Sequence, residues 1–259
     1  MKILCWNVQG LGMPRTVRRL QHMLRDINPS VVFLSETKLR SAQMAQVRRR
    51  CGFINVIDVD AVGRSGGLSL GWKNNCGVSL CSYSQRHIDV IINEDSDGNI
   101  WRCTGFYGVP EEQHRAAAWN LLRQINDMPE IPWVIIGDFN EIAYSNEKQG
   151  GLTRSERQMS EFRRVLSDCE VEDMGYRGRW YTWEKGNFAT NNIRERLDRG
   201  LRIPHGSTCS HTICWSIYHT PSRIIVLFFW RLMWLPTSTN SGILDLNQHG
   251  YWRKHTNPR

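Results

Sequence analysis

Trp133-Val134-Ile135-Ile136-Gly137-Asp138-Phe139-Asn140 is the stretch whose reading decides the fold. Its first four residues are apolar without interruption, Gly137 ends the run, and a carboxylate and an amide follow. A strand that is apolar at consecutive positions has both faces covered. Ser30 to Leu34 (S-V-V-F-L) reads the same way and leads into Glu36, and a third strand, Lys2 to Asn7, ends on an amide. Arg15 to Asp26 carries Val17, Leu20, Met23 and Leu24 at helical spacing, continued by Ile27, until Asn28-Pro29 stops it. Further helices are expected over Ala42 to Arg50, Glu111 to Asp127 and Ser155 to Leu166, with Ser155 as the cap. Between them lie strand-like segments, from Phe53 to Asp58 through Ile100 to Tyr107. Gly66-Gly67, Asn74-Asn75 and Asp97-Gly98 mark their turns. Trp180 to Trp183 and Arg194 to Leu201 read as late strands. Doubly covered strands separated by amphipathic helices predict an α/β fold, a four-layer α/β/β/α sandwich: two mixed sheets face to face with helices outside.

At 259 residues the chain is long enough for one large domain with a full core. Its net charge of +8 suits a polyanionic partner, but from Arg202 onward there are six Lys/Arg and one acid, so the last stretch supplies +5 of the total. The eight cysteines form no C-x-x-C pair, which argues against a zinc site and for reduced thiols in an intracellular, unsecreted protein. Ile224 to Trp230 is apolar but far short of the roughly 20 residues that a bilayer requires, so no membrane partner is expected. Beyond Leu201 neither strand nor helix period persists. The expected organisation is therefore a domain over residues 1–201 and an aberrant tail over 202–259.

The chemistry-bearing residues sit where strands end. Glu36 closes a buried strand, which places a hard oxygen ligand at a sheet edge; Asn7 is a second oxygen donor at the end of the first strand. Asp138 and Asn140 lie one residue apart, so strand alternation puts both on one side with Phe139 directed into the core. A carboxylate can deprotonate water, and an amide or the Tyr107 phenol can donate to a phosphoryl oxygen. Asp198 lies in R-E-R-L-D-R-G, where the flanking arginines are potential ion-pair partners for it. Singly, each residue is equally compatible with a solvated loop carboxylate, a turn-making asparagine or a core-edge tyrosine. Their joint occurrence at strand ends points to metal-assisted phosphodiester hydrolysis.

W-N-V-Q-G (6–10), S-E-T-K (35–38), F-Y-G (106–108), G-D-F-N (137–140) and R-L-D-R (196–199), in this order, resemble the endonuclease/exonuclease/phosphatase superfamily. G-R-S-G-G-L (63–68) and R-W-Y-T-W (179–183) narrow the resemblance to the apurinic-type endonuclease domain of plant non-LTR (LINE-type) retrotransposons. The resemblance spans residues 1–201. It implies Mg2+, with Mn2+ as a substitute, held by Glu36 and Asn7. Tyr107 and Asn140 would contact the scissile phosphate, Asp138 would activate the water, and Asp198 would orient a histidine. Thr182 and Trp183 would support the site. The implied partner is DNA, nicked by a nuclear, monomeric protein; the reverse transcriptase such domains accompany is absent from this chain.

The superfamily pattern closes on S-D-H-x-P, which this chain lacks; the corresponding region reads T-P-S-R-I-I-V-L-F-F (220–229). Codons for R-I-I-V-L-F-F read one base earlier can spell S-D-H-C-P-F, and R-I-P-H-G after Leu201 can hide A-N-P-A-W by the same shift. The tail is accordingly read as frame-shifted or disordered, and the nuclease as impaired. A non-catalytic nucleic-acid-binding relic and a phosphatase acting on small phosphate esters are the alternatives.

Overall fold

Side chains along the first strand alternate between two apolar environments, and that alternation builds the layers. Ile3 and Cys5 enter one buried cluster, Leu4 and Trp6 another. The computed structural model describes residues 1–63, 65–74, 76–94, 99–126, 131–176, 178–186, 188 and 191–204, and the backbones of strands at 213–220, 223–230, 244–246 and 252–254. The elements begin β1 (Lys2–Asn7), α1 (Pro14–Ile27), β2 (Val31–Ser35), α2 (Ser41–Cys51), β3 (Asn55–Val62), β4 (Ser65–Trp72), β5 (Cys76–Tyr83), β6 (His87–Glu94) and β7 (Asn99–Tyr107). They continue with α3 (Arg115–Ile125), β8 (Trp133–Asp138), β9 (Lys148–Gln149), α4 (Glu156–Asp168), β10 (Glu172–Asp173), β11 (Trp183–Lys185), β12 (Ile193–Glu195) and β13 (Asp198–Arg202). Four strands follow: β14 (Ile213–Thr220), β15 (Arg223–Trp230), β16 (Leu244–Leu246) and β17 (Trp252–Lys254).

Two mixed six-stranded sheets dominate, ordered β14-β15-β1-β2-β4-β3 and β10-β13-β8-β7-β6-β5. Phe33 and Val31 from the first meet Val90, Ile92, Cys103 and Ile136 from the second in the core between them. Leu4, Trp6, Val32 and Leu34 face α1 and α2, whereas Trp133 and Ile135 face α3 and α4. The predicted four-layer sandwich is the observed architecture. The sheets approach so closely that a Cβ on Gly105 would lie 2.2 Å from the Phe33 ring.

Several local expectations are revised. Arg194 to Leu201 is two strands in different sheets: β12 joins β9 and β11, while β13 joins β8. The break falls at Arg196, whose N–H donates to Glu147 O at 2.9 Å. Gly66 and Gly67 open β4 instead of forming the turn before it. Glu111 to Asp127 divides into a 3-10 turn at Glu112–His114 and then α3. The strand expected at Trp180 begins only at Trp183. Ser155 occupies the N-cap of α4 but makes no side-chain capping bond. Asp97-Gly98 and Asn75 lie outside the described residues, although β6 and β7 do pair antiparallel from Glu94↔Asn99 to His87↔Phe106.

In the last stretch, β15 pairs antiparallel with β1, from Lys2↔Phe229 to Cys5↔Val226, and β14 pairs with β15. Three registers place the site. β1 and β2 run parallel with Asn7↔Ser35, β7 and β8 run parallel with Tyr107↔Asp138, and β13 pairs with β8 at Asp198↔Asp138. The C-terminal ends of four strands and the start of a fifth therefore carry all the candidate residues. No helix among the described residues is long and apolar enough to cross a membrane.

Candidate active site

Asn7 Nδ2 donates to Asp138 Oδ2 at 2.8 Å, bridging the two sheets. The amide's orientation is fixed from the other side, where Gln9 N–H donates to Asn7 Oδ1 at 3.2 Å. Asp138 Oδ1 accepts from the Asn140 N–H at 2.9 Å, and Asn140 Nδ2 donates to Gly108 O at 3.0 Å. Strand alternation does not bring Asp138 and Asn140 together as expected. The strand ends at Asp138, and Asn140 takes a left-handed conformation with φ +53°, which turns it back onto the carboxylate. Phe139 is fully buried against Phe106 and Phe162, as its position in the sequence implied.

Glu36 follows β2 with φ +52°. Its Oε1 accepts from the Tyr107 hydroxyl, and its Oε2 lies 3.4 Å from the Lys38 ammonium. The segment is pinned by backbone bonds on both sides: Gly10 N–H to Glu36 O at 2.8 Å, and Thr37 and Lys38 N–H to Gly67 and Gly66 O, each at 3.0 Å. Two further motifs touch through glycines. A Cβ on Gly108 would lie 2.0 Å from Phe139 O, and one on Gly137 would lie 1.8 Å from Phe106 O. F-Y-G and G-D-F-N can approach only because neither glycine carries a side chain.

Asp198 stands beside Asp138 and accepts a hydrogen bond from the Thr182 hydroxyl. Thr182 Oγ1 in turn accepts from the Leu197 and Asp198 N–H groups at 2.8 and 2.9 Å, so one buried threonine fixes the entry to β13. The flanking arginines do not pair with Asp198. Arg196 and Arg199 both bind Glu147 and Asp173, forming a buried charge cluster beneath the R-L-D-R segment. Residue spacing did not reveal this cluster, because Glu147 is an undistinguished acid in a 3-10 turn. Among the described residues no histidine is hydrogen-bonded to Asp198; His22 bonds to Arg25, and His87 to Ser82 and Ser84.

Burial raises the Asp138 carboxyl to about 6, with the charges of Glu36 and Glu195 adding to the rise and the hydrogen bonds from Asn7 and Asn140 opposing it. Asp198 is raised well above the ordinary carboxylate range, first by burial and then by the Asp138 charge, against the Thr182 hydrogen bond. Burial, followed by the hydrogen bond to Glu36, raises the Tyr107 phenol, so it remains a donor. A carboxylate near 6 is still ionised at neutral pH and is a stronger base than an exposed aspartate.

Among the described residues no three His, Cys, Asp or Glu side chains cluster as a metal cage. Mg2+ does not require one, because it retains several waters and binds one or two protein oxygens plus substrate phosphate. Glu36 and Asn7 supply a carboxylate and an amide oxygen of this kind. The Glu36 carboxylate already faces the Lys38 ammonium. The donor set fits a hard divalent ion.

The model of the Endonuclease/Exonuclease/phosphatase family matches residues 4–199, most of the chain. The chain belongs to this family. Solved structures share the fold. A 3' phosphatase, NExo, from Neisseria bound to a product DNA hairpin has a TM-score of 0.66 at 19% identity, covering 89% of this chain and 99% of that one. The AP endonuclease LMAP from Leishmania major has a TM-score of 0.66 at 15% identity, with 89% and 87% covered. The endonuclease domain of TRAS1, a telomere-specific non-LTR retrotransposon, has a TM-score of 0.64 at 11% identity, with 89% and 98% covered. A share of 89% is more than residues 1–201 alone can supply. No curated protein sequence matches the chain.

Proposed function

We propose that the chain is the DNA-nicking endonuclease domain of a plant LINE-type retrotransposon, a Mg2+-dependent phosphodiester hydrolase impaired by the loss of one histidine. The observation that carries this reading is the convergence of Asn7, Asp138 and Asn140 through two hydrogen bonds, with Glu36 and Tyr107 joined beside them. The DNA substrate is argued from the kind of neighbour the fold has: an AP endonuclease, a retrotransposon endonuclease domain and a DNA-bound phosphatase.

Glu36 and Asn7 would hold the divalent ion, which would supply neutralisation of charge on the phosphate. Asp138, with its raised proton affinity, accepts the proton of the attacking water. Tyr107 and Asn140 donate to the phosphoryl oxygens; Asn140 does so without competing for the proton. Asp198 is built to steady an imidazole, and it is held by Thr182 and surrounded by no described histidine. Loss of a phosphate-stabilising or proton-transferring group costs roughly 10²–10⁴ in rate. The impairment follows from that loss.

Nicking of supercoiled plasmid in Mg2+ tests the proposal, with Glu36→Ala as the control. Weak nicking that the substitution abolishes is the expected result. Robust nicking would refute the impairment. Salt-dependent DNA binding without any metal-dependent cleavage would favour the binding-relic reading. That alternative draws on the half-exposed Tyr176–Trp180 pair, 5.0 Å apart and backed by Arg196, which offers a stacking surface.

A further inference from the structure

Arg115 is the first residue of α3, where the helix dipole disfavours a cation, and it is buried there against the buried carboxylate of Glu141. Stability does not account for the pair, because apolar side chains of similar volume often serve a fold as well as a buried ion pair does. What sets it apart is the backbone it holds. Arg115 Nε donates to Val109 O at 3.1 Å, and Nη2 donates to Pro110 O at 2.9 Å. Nη1 donates to Glu141 Oε2 and, at 3.4 Å, to Gln158 Oε1. Glu141 is fixed from its other oxygen: Oε1 accepts from the Ile142 N–H at 2.9 Å and lies 3.1 Å from Arg154 Nε.

Val109 and Pro110 directly follow Gly108, and Glu141 directly follows Asn140. The bonds therefore close a ring between the loop after β7 and the loop after β8. Gly108 N–H donates to Asp138 O at 2.7 Å, and Asn140 Nδ2 donates to Gly108 O at 3.0 Å. Arg115 completes the circuit from Val109 and Pro110 to Glu141. The left-handed backbone of Asn140 lies inside this ring. A side-chain amide has two ends of opposite sense, an NH2 that donates and an oxygen that accepts. Only the NH2 can satisfy a carbonyl, so Gly108 O decides how the Asn140 amide is turned and leaves it one N–H to give elsewhere. An amide released from that carbonyl could turn its oxygen towards an anion and repel it.

We propose that Arg115 and Glu141 are positioning residues for Asn140. They hold the Gly108 carbonyl in place, so that the amide meets a phosphoryl oxygen with an N–H. This inference rests on the catalytic reading above and deepens it; neither residue is assigned a contact with substrate.

The test reads the Asn140 side-chain amide directly, by nitrogen–proton NMR correlation on the metal-free full chain, with the signals assigned by their loss in Asn140→Ala. The double variant Arg115→Met/Glu141→Leu removes both charges at similar volume. Its Asn140 signals should move to the shifts of an unbonded asparagine, while those of Asn7, whose bond runs to Asp138 outside the ring, should keep their place. Unmoved Asn140 signals in the folded variant overturn the inference. So does an equal shift at Asn7, which would make the pair a general support of the fold. If the double variant does not fold, Arg115→Lys decides by the same two comparisons, since it keeps a charge opposite Glu141 but lacks the fork that reaches both carbonyls. In plasmid nicking, Arg115→Lys should lower kcat by about 10²-fold, the cost of a misplacement on the order of 1 Å, and leave KM unchanged. A raised KM with kcat unchanged would overturn the inference. An unmodified chain that never nicks would overturn the catalytic reading itself, a failure that the amide signals report separately from the hold on Asn140.

Discussion

Asp138→Asn should stabilise the metal-free protein above neutral pH and lose that advantage in acid. The carboxyl is buried, and its pKa rises from 3.8 to about 6 on folding. A folded pKa above the unfolded one means that protonation favours the native state. Asp138 therefore contributes its full stability below about pH 3.8 and loses it as pH climbs through about 6. The whole penalty is about 3 kcal/mol at pH 8 and about half of that at pH 5. The amide removes the penalty but accepts less well. Asn7 Nδ2 and the Asn140 N–H are both donors aimed at the two carboxylate oxygens, and an amide has only one oxygen to offer. The lost bond costs about 1 kcal/mol at every pH. The net expectation is a gain of about 2 kcal/mol at pH 8 and less than about 1 kcal/mol at pH 5. Urea unfolding of both proteins in EDTA at the two pH values measures it. Equal effects of the substitution at pH 5 and pH 8, or a larger gain in acid, would refute the reasoning, because the burial of an ionised Asp138 would then carry no cost.

Three other outcomes are expected. Millimolar Mg2+ should raise the melting temperature of the unmodified chain and leave Glu36→Ala unmoved, which differential scanning fluorimetry reads without any substrate. Glu147→Ala removes a carboxylate shared by the buried Arg196 and Arg199, leaving Asp173 as the acid that both still bind among the described residues, and should cost about 3–5 kcal/mol, seen as a large drop in the urea midpoint or as loss of soluble protein. Removing residues 204–259 should uncover the backbone edge of β1 that β15 covers, so the shortened chain should elute as aggregates in size-exclusion chromatography while the full chain does not.

The layers were legible because strand burial is written residue by residue. Val31 to Leu34 and Trp133 to Ile136 are apolar at every position, and each position does find an apolar neighbour, either between the sheets or under the helices. Part of the site was legible for a related reason: Asn7 and Asp138 are the first polar side chains after apolar runs, Glu36 comes one residue after Ser35 ends such a run, and parallel strands bring those ends to one edge. What stayed hidden depends on contacts far apart in sequence. The partners of Arg196 and Arg199 are an acid in a 3-10 turn and another in β10, and nothing near the arginines names them. The break between β12 and β13 follows from the Arg196 N–H choosing Glu147 O, again a distant partner. The left-handed Asn140 is set by its own bonds to Asp138 and Gly108, which override the alternation that the local sequence suggests.

The last stretch separates what a fold requires from what a reaction requires. Beside β1 the sheet needs an extended backbone that donates and accepts at the right spacing, and a run such as Ile224 to Trp230 meets that need. Many sequences would, since β-branched and aromatic residues suit a pleated, covered surface whatever their order. On the proposed catalytic reading, the chemistry beside Asp198 needs one imidazole at one position, and almost no other sequence meets that need. A shift of reading frame that turns S-D-H-C-P-F into R-I-I-V-L-F-F exchanges a demanding segment for an undemanding one: the new residues can occupy a strand, but they cannot move a proton. On the proposed reading such a lesion would remove activity while sparing the scaffold that positions Asn7, Glu36, Tyr107, Asp138 and Asn140. Reading the coding sequence from codon 198 to codon 235 decides the point. Codons spelling S-D-H-C-P one base out of register make the missing histidine a recoverable loss, and restoring the frame should restore nicking. Codons that do not spell it would require another proton carrier, and the catalytic proposal would give way to DNA binding alone.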